Sequence, residues 1–284
     1  MLTGYFNSRT IEPLTIEIKS VLQTIFSLKF YPNNSYLAMT PVSPQEHYDH
    51  HLGHFYDWMV GDFDAQQQQQ QEFFVANDIT PTDNRVAVDL GAGHGLQSIS
   101  LAQLGFNVVA LDFNQPLLDQ LAARKASLAI KTIQADLLDF PTYVKEASVI
   151  VCMGDTIAHL DNFEAVQQLI QQCYDTLLPS GKLILSFRDY HVALEGVHRF
   201  IPVKSDDNRI LTCILDYTDD RVLVTDQLYE KTASGWVQKV STYPKLRITV
   251  SLIQEYLTQA DFHLAQTDTL NRMHYLVADK TQTS

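Results

Sequence analysis

Residues 86–95 read Val-Ala-Val-Asp-Leu-Gly-Ala-Gly-His-Gly, and Asp112 closes the next apolar run. Val86–Leu90 is β-branched and apolar, as suits a strand buried on both faces of a parallel sheet. The glycines that follow let the backbone turn sharply and approach a ligand. Leu96–Leu104, apolar at Leu96, Ile99, Leu101 and Leu104, reads as a helix, and Asn107–Leu111 as the next strand. Ligands of open α/β sheets bind outside the carboxyl ends of the strands. Gly91–Gly95 and Asp112 are therefore expected to face one crevice, where a carboxylate can accept two hydrogen bonds from a ribose diol.

Strand and helix patterns alternate outward from this stretch. Strands are expected near 85–90, 107–111, 130–134, 147–152 and 182–187, and helices near 95–104, 115–125 and 162–177. Pro179-Ser180-Gly181 is expected to stop the last of these helices. The rhythm is that of a doubly wound parallel sheet in an α/β protein. It then changes. Arg209–Asp216, Arg221–Glu230 and Gly235–Tyr243 read as an antiparallel meander, a small inserted β lobe. Thr249–Ala260 returns as a helix, and 262–267 with 273–279 would finish the main sheet as an antiparallel pair. Upstream, 45–76 reads as helical, with Gln66–Gln71 as a solvated face. Ile16–Leu28 has the spacing of an amphipathic helix. The expected organisation is an appendage over 1–38, a ligand-binding core with a lid helix over 39–190, the β lobe over 191–246, and completion of the core over 247–284.

Composition narrows the partners. Asp and Glu number 33 against 20 Lys and Arg, a net charge of −13, so a phosphate-backbone ligand would be repelled on average. A small molecule is the expected partner and nucleic acid is not; a homo-oligomer is left open. Three scattered cysteines suit a reducing compartment. No apolar run approaches the ~18 residues of a membrane span, and the N-terminus lacks the marks of a secretory signal. The expected location is cytoplasmic, away from membranes.

The glycines stand at 91, 93 and 95 with Leu at 96, so the dinucleotide spacing G-x-G-x-x-G is absent. Lys and Arg are absent from the loop, which excludes a P-loop. The D-x-G-x-G-x-G pattern that begins at Asp89, with the downstream acid Asp112, resembles the class I S-adenosylmethionine-dependent methyltransferases. The resemblance implies a seven-stranded Rossmann-like methyltransferase sheet, S-adenosylmethionine as cofactor and S-adenosylhomocysteine as product. It implies that Asp89 belongs to the cofactor site with Gly91, Ala92 and Gly93, which pass under the methionyl group, and that Asp112, with Phe113 beside it, holds the ribose. Asp136 and Leu137 follow the third strand. Asp136 reads equally as a ligand for an adenine amino group and as a helix N-cap; the family context favours the ligand, with Leu137 packed on the ring.

The run Val151-Cys152-Met153-Gly154-Asp155-Thr156-Ile157-Ala158-His159-Leu160 narrows the resemblance to the glycine/sarcosine N-methyltransferases. Tyr48 with Gly61-Asp62, Phe187-Arg188-Asp189-Tyr190, Lys204-Ser205-Asp206 and Thr242-Tyr243-Pro244 match that subfamily in the same order. Together the matches cover about residues 45–280. The resemblance implies cofactor contacts from Tyr48, Met153, Gly154, Thr156 and His159, and a substrate site of Asp155, Arg188, Tyr190 and Tyr243. A guanidinium such as Arg188 offers a planar fork to a carboxylate; the other reading is a structural salt bridge. The sequence departs from the subfamily at Asp155, where an amide is usual, and at Asp64-Ala65-Gln66, where an arginine is missing. The acceptor is therefore expected to be the amine of an amino acid or a related compound, not glycine itself, with O-methylation and cofactor binding without turnover as alternatives. Asp155, His159 or a tyrosine could take the substrate proton, or the amine could bind neutral. His47, His50, His51 and His54 share helical spacing, but no acidic or cysteine partner completes a metal motif, so no metal is expected.

Overall fold

A computed structural model describes residues 40–281, residue 82 excepted. The expected helix at Ile16–Leu28 and the appendage over 1–38 lie outside the described residues. The described residues open with three helices, α1 (Pro44–His50), α2 (Tyr56–Val60) and α3 (Phe63–Ala76). The sequence pattern suggested one helical stretch over 45–76. The breaks fall at His51, whose backbone leaves helical geometry, and at Gly61, with φ of 98°. Ser43 caps α1 in a reciprocal capping box with Glu46, and Asp62 caps α3 through Ala65 N.

The core follows as β1 (Val86–Leu90), α4 (Leu96–Gln103), β2 (Asn107–Asp112), α5 (Gln115–Arg124), β3 (Ile130–Gln134), β4 (Ala147–Cys152), α6 (Phe163–Thr176) and β5 (Leu177–Phe187). The lobe contributes β6 (Phe200–Ser205), β7 (Arg209–Tyr217), β8 (Arg221–Thr232) and β9 (Gly235–Leu246). Then come α7 (Val250–Gln259), β10 (Phe262–Leu270) and β11 (Met273–Lys280). The seven-stranded sheet runs β10-β11-β5-β4-β1-β2-β3. Its strands are parallel from β5 to β3, and β11 joins antiparallel on both sides. All six residues of β4 are buried, so each face of the sheet packs under helices. The chain order reverses between β1 and β4, a topological switch point, and a crevice opens above it.

Two expectations are corrected. Pro179-Ser180-Gly181 does not stop α6: the helix ends at Thr176, and Leu177 already pairs with Ala147. The three residues form a bulge inside β5, after which Lys182 pairs with Val149, and Ser180 takes φ of 64° to make it. The lobe has four strands, not three. β6 has no hydrophobic alternation, its residues being exposed or half-buried, which hid it in the sequence. The other lobe strands follow period-2 burial: Val222, Val224, Asp226 and Leu228 of β8 are buried, each separated by a half-buried residue.

Two glycines shape the turn after β1. Gly91 has φ of 76°, and a Cβ there would lie 2.3 Å from Thr156 Cγ2. Gly95 has φ of 101°, and its Cβ would lie 2.3 Å from Leu121 Cδ1 on α5. Gly95 thus allows close packing of the first helix, one position before the place where a dinucleotide fold keeps its packing glycine.

Candidate active site

A cavity opens above the switch point. It is lined by the turn after β1, Asp112 and Phe113 after β2, Asp136 and Leu137 after β3, and Met153, Gly154, Thr156 and His159 after β4. Tyr48 and Tyr56 add a wall from the helices before the core. Of the expected cofactor residues, Tyr48, Gly91, Ala92, Gly93, Asp112, Phe113, Asp136, Leu137, Met153, Gly154, Thr156 and His159 meet here. Asp89 does not. Its carboxylate is buried below the turn and accepts a 2.6 Å hydrogen bond from Ser98 Oγ, and burial pushes its pKa up to about 7. Asp89 secures α4 to the sheet.

Asp112 is held rigidly at the cavity wall. One oxygen accepts from Gly93 N and the other from Asn114 N, each at 2.8 Å, which fixes the carboxylate and leaves lone pairs for two hydroxyls. Burial raises its pKa to about 6, against those backbone donors, which lower it. Protonation would compete with ligand hydroxyls for the same lone pairs. Affinity for a ribose-bearing ligand is therefore expected to be constant above pH 7 and to fall about tenfold per unit well below pH 6; calorimetry across pH 4.5–8 checks this. Asp136 caps the following turn through Leu138 N at 2.8 Å and also lines the cavity.

The segment 43–62 roofs the cavity. Asp49 accepts from Asn114 Nδ2 at 2.6 Å, Arg124 holds Asp57 at 2.6 Å, and Trp58 donates to Asp206 of the lobe at 2.6 Å. His47 is fully buried, with Nδ1 2.8 Å from Ser241 Oγ and Nε2 3.2 Å from Asp226 Oδ2. Its ring stacks on Tyr243 at 3.9 Å, and Tyr243 stacks in turn on His159 at 5.6 Å. His47 thus fastens the roof to the lobe, while His50 and His54 are exposed. Among the described residues no cluster of metal-ligating side chains occurs. The glutamine run is not simply solvated, as the sequence suggested: Gln67 bonds Gln103, and Gln70 Nε2 lies 3.8 Å from Met153 Sδ.

Asp155, Arg188, Tyr190 and Tyr243 do not line this cavity but gather one layer away, toward the lobe. Asp155 is buried and saturated. It accepts from Arg188 N at 3.0 Å, Tyr190 OH at 2.8 Å and Lys245 Nζ at 2.6 Å. Burial raises its pKa, but Lys245 and Arg188 outweigh this and hold it below the usual carboxylate range. The sequence reading missed Lys245, since a lysine in a strand-like run carries no signal until the topology places it over β4. His159 is held neutral, its pKa lowered to about 3 by burial and then by Lys245, and its Nδ1 has no protein partner. Burial raises the Tyr48, Tyr190 and Tyr243 phenols well above their ordinary range.

The model of a family described as a methyltransferase domain matches residues 87–181, from the first strand to the bulge in the fifth. Over that stretch the chain is similar to a methyltransferase domain. Around it, the chain is 26% identical over 156 residues to a glycine/sarcosine N-methyltransferase of Halorhodospira halochloris, a match covering 52% of this chain and 58% of that protein. The chain thus spans a little over half the length of that curated relative. The same core arrangement recurs in the CcbJ methyltransferase of Streptomyces caelestis, with a TM-score of 0.69 at 17% identity over 84% of this chain and 99% of that one. It recurs also in CalS10 of Micromonospora echinaspora, an amino pentose methyltransferase solved with S-adenosylmethionine bound, with a TM-score of 0.66 at 14% identity over 81% and 97%. Among the described residues, no helix is long and apolar enough to cross a membrane.

Proposed function

We propose that the protein transfers the methyl group of S-adenosylmethionine to the amine of a small molecule that carries a carboxylate. The observation that carries this is the pairing of one cavity, floored by the glycine turn and Asp112, with the half-exposed Arg188 guanidinium one layer away, on the side of the lobe. The residues fit the cofactor. Asp112 would accept the ribose hydroxyls, Phe113 and Leu137 would flank the adenine with Asp136 at its edge, and Gly91–Gly93 would pass under the methionyl group. Bound there, the sulfonium supplies an already activated methyl carbon, so the chain need provide no covalent nucleophile. Its own residues align the acceptor and exclude water. The roof of Tyr48 and Tyr56 closes over the cavity, and Arg188 orients the acceptor by its carboxylate. Transfer to nitrogen is the activity named for the glycine/sarcosine relative, and the amino pentose enzyme also acts on an amine-bearing molecule.

Asp155, His159 and the three tyrosines are poor bases for this step. Asp155 is saturated and well below neutrality, His159 holds a proton only near pH 3, and the phenols ionise far above neutrality. General bases work best when their pKa lies near the operating pH. The acceptor amine therefore binds neutral, its proton lost to solvent first. With cofactor saturating, log kcat/KM is expected to rise with unit slope up to the pKa of the acceptor amine, without a plateau between pH 7 and 8. A plateau there would mean that a residue of the protein takes the proton.

The proposal is tested by S-adenosylhomocysteine production over a panel of amino acids, carboxylate-free amines and hydroxy acids. Turnover confined to amino acids supports it. Turnover confined to hydroxy acids would replace it with O-methylation, and cofactor binding without turnover would leave a binding protein.

A further inference from the structure

Asp155 is contested by two cations, and only one is in contact with it. Its Oδ1 is taken by the Arg188 backbone N–H at 3.0 Å. Its Oδ2 receives Tyr190 OH at 2.8 Å and Lys245 Nζ at 2.6 Å. The Arg188 guanidinium stands 3.8 Å from that same oxygen, beyond hydrogen-bond reach, and its side chain is 46% exposed while that of Lys245 is 10% exposed. Lys245 comes from β9 of the lobe, where it pairs with Val222, so this contact also ties lobe to core. One carboxylate faces two cations, leaving one net positive charge, and the geometry assigns that charge to the exposed guanidinium.

We infer that Lys245 is a positioning residue: by occupying Asp155 it keeps the Arg188 guanidinium free for the acceptor's carboxylate. The inference rests on the proposed substrate class for its kinetic consequence, but not for its geometry. Without Lys245, the buried Asp155 carboxylate would have one charged neighbour left. Arg188 would need to move about 1 Å to make a charge-assisted pair, which removes its donors from the acceptor. Such pairs are worth enough that the collapsed arrangement would dominate.

The test uses the full chain. Lys245→Met is expected to raise the acceptor KM by about tenfold to a hundredfold with kcat nearly unchanged, as loss of ground-state binding requires. Lys245→Arg, which keeps a cation on Asp155, should stay close to the parent. The double variant Asp155→Asn/Lys245→Met, in which no charge draws Arg188 inward, should recover most of the lost affinity. A merely structural role for Lys245 would show as a lowered Tm of Lys245→Met, with the acceptor KM of the folded protein unchanged. A crystal structure of the Lys245→Met protein supplies the independent readout, with the Arg188 guanidinium in hydrogen-bond contact with Asp155. Unchanged KM, failure of the double variant to rescue, or a guanidinium still apart from Asp155 overturns the inference. If the parent methylates only amines without a carboxylate, the substrate class fails instead, and the crystallographic distance still decides the role of Lys245.

Discussion

Asp112→Ala is expected to weaken cofactor binding by more than about a hundredfold while the chain stays folded. Two hydrogen bonds between a carboxylate and ribose hydroxyls are worth about 1.5–3 kcal/mol each, and every 1.4 kcal/mol is tenfold in affinity. The carboxylate also braces Gly93 N and Asn114 N, so its removal loosens the turn and the cap of α5 together. Removal relieves the desolvation that raises the pKa to about 6 but orphans those two backbone donors, so a modest fall in Tm is expected beside the loss of affinity. Calorimetry with S-adenosylhomocysteine, beside a thermal melt, separates the two effects. A dissociation constant within about threefold of the parent, with the melt unchanged, would remove Asp112 from the site.

Gly91→Ala is expected to damage both folding and binding. The residue would sit at φ of 76°, which costs a side chain about 1–2 kcal/mol, and its Cβ would lie 2.3 Å from Thr156 Cγ2. Overpacking of that kind adds about 1–3 kcal/mol. For a chain of this size the sum lowers Tm by roughly 5–10 °C. The clash also pushes Thr156, which donates to Met153 O at 2.7 Å, and so displaces two walls of the cavity at once. Thr156→Ala in the same chain removes the nearest offending atoms. The double variant should recover part of the loss, a coupling that a double-mutant cycle reads directly. Simple additivity would show that the two residues do not meet.

The parts of this molecule that could be read from sequence are those where one residue's environment is set by its near neighbours. A buried β-branched run, a glycine turn and an acid at the end of the next strand specify each other over 27 residues, and the chain returns them in one cavity. Asp89 misled because its place in the motif says nothing of which side of the turn its carboxylate takes. Asp155 misled for a different reason. Its character depends on Lys245, 90 residues away, and on Arg188 and Tyr190, 33 and 35 residues away. An unpaired aspartate at that position would draw a cation; a saturated one arranges the cations around it. The edge strand β6 stayed hidden because a strand without a buried face leaves no alternation to detect.

The roof of the cavity precedes the first strand in sequence yet is stitched to both neighbours, to the core through Asp49 and Asp57 and to the lobe through His47 and Trp58. Under the proposed function, release of the spent nucleoside is expected to need some of those fastenings to open, and an evolved gain in speed would be found in them before it was found in the chemistry.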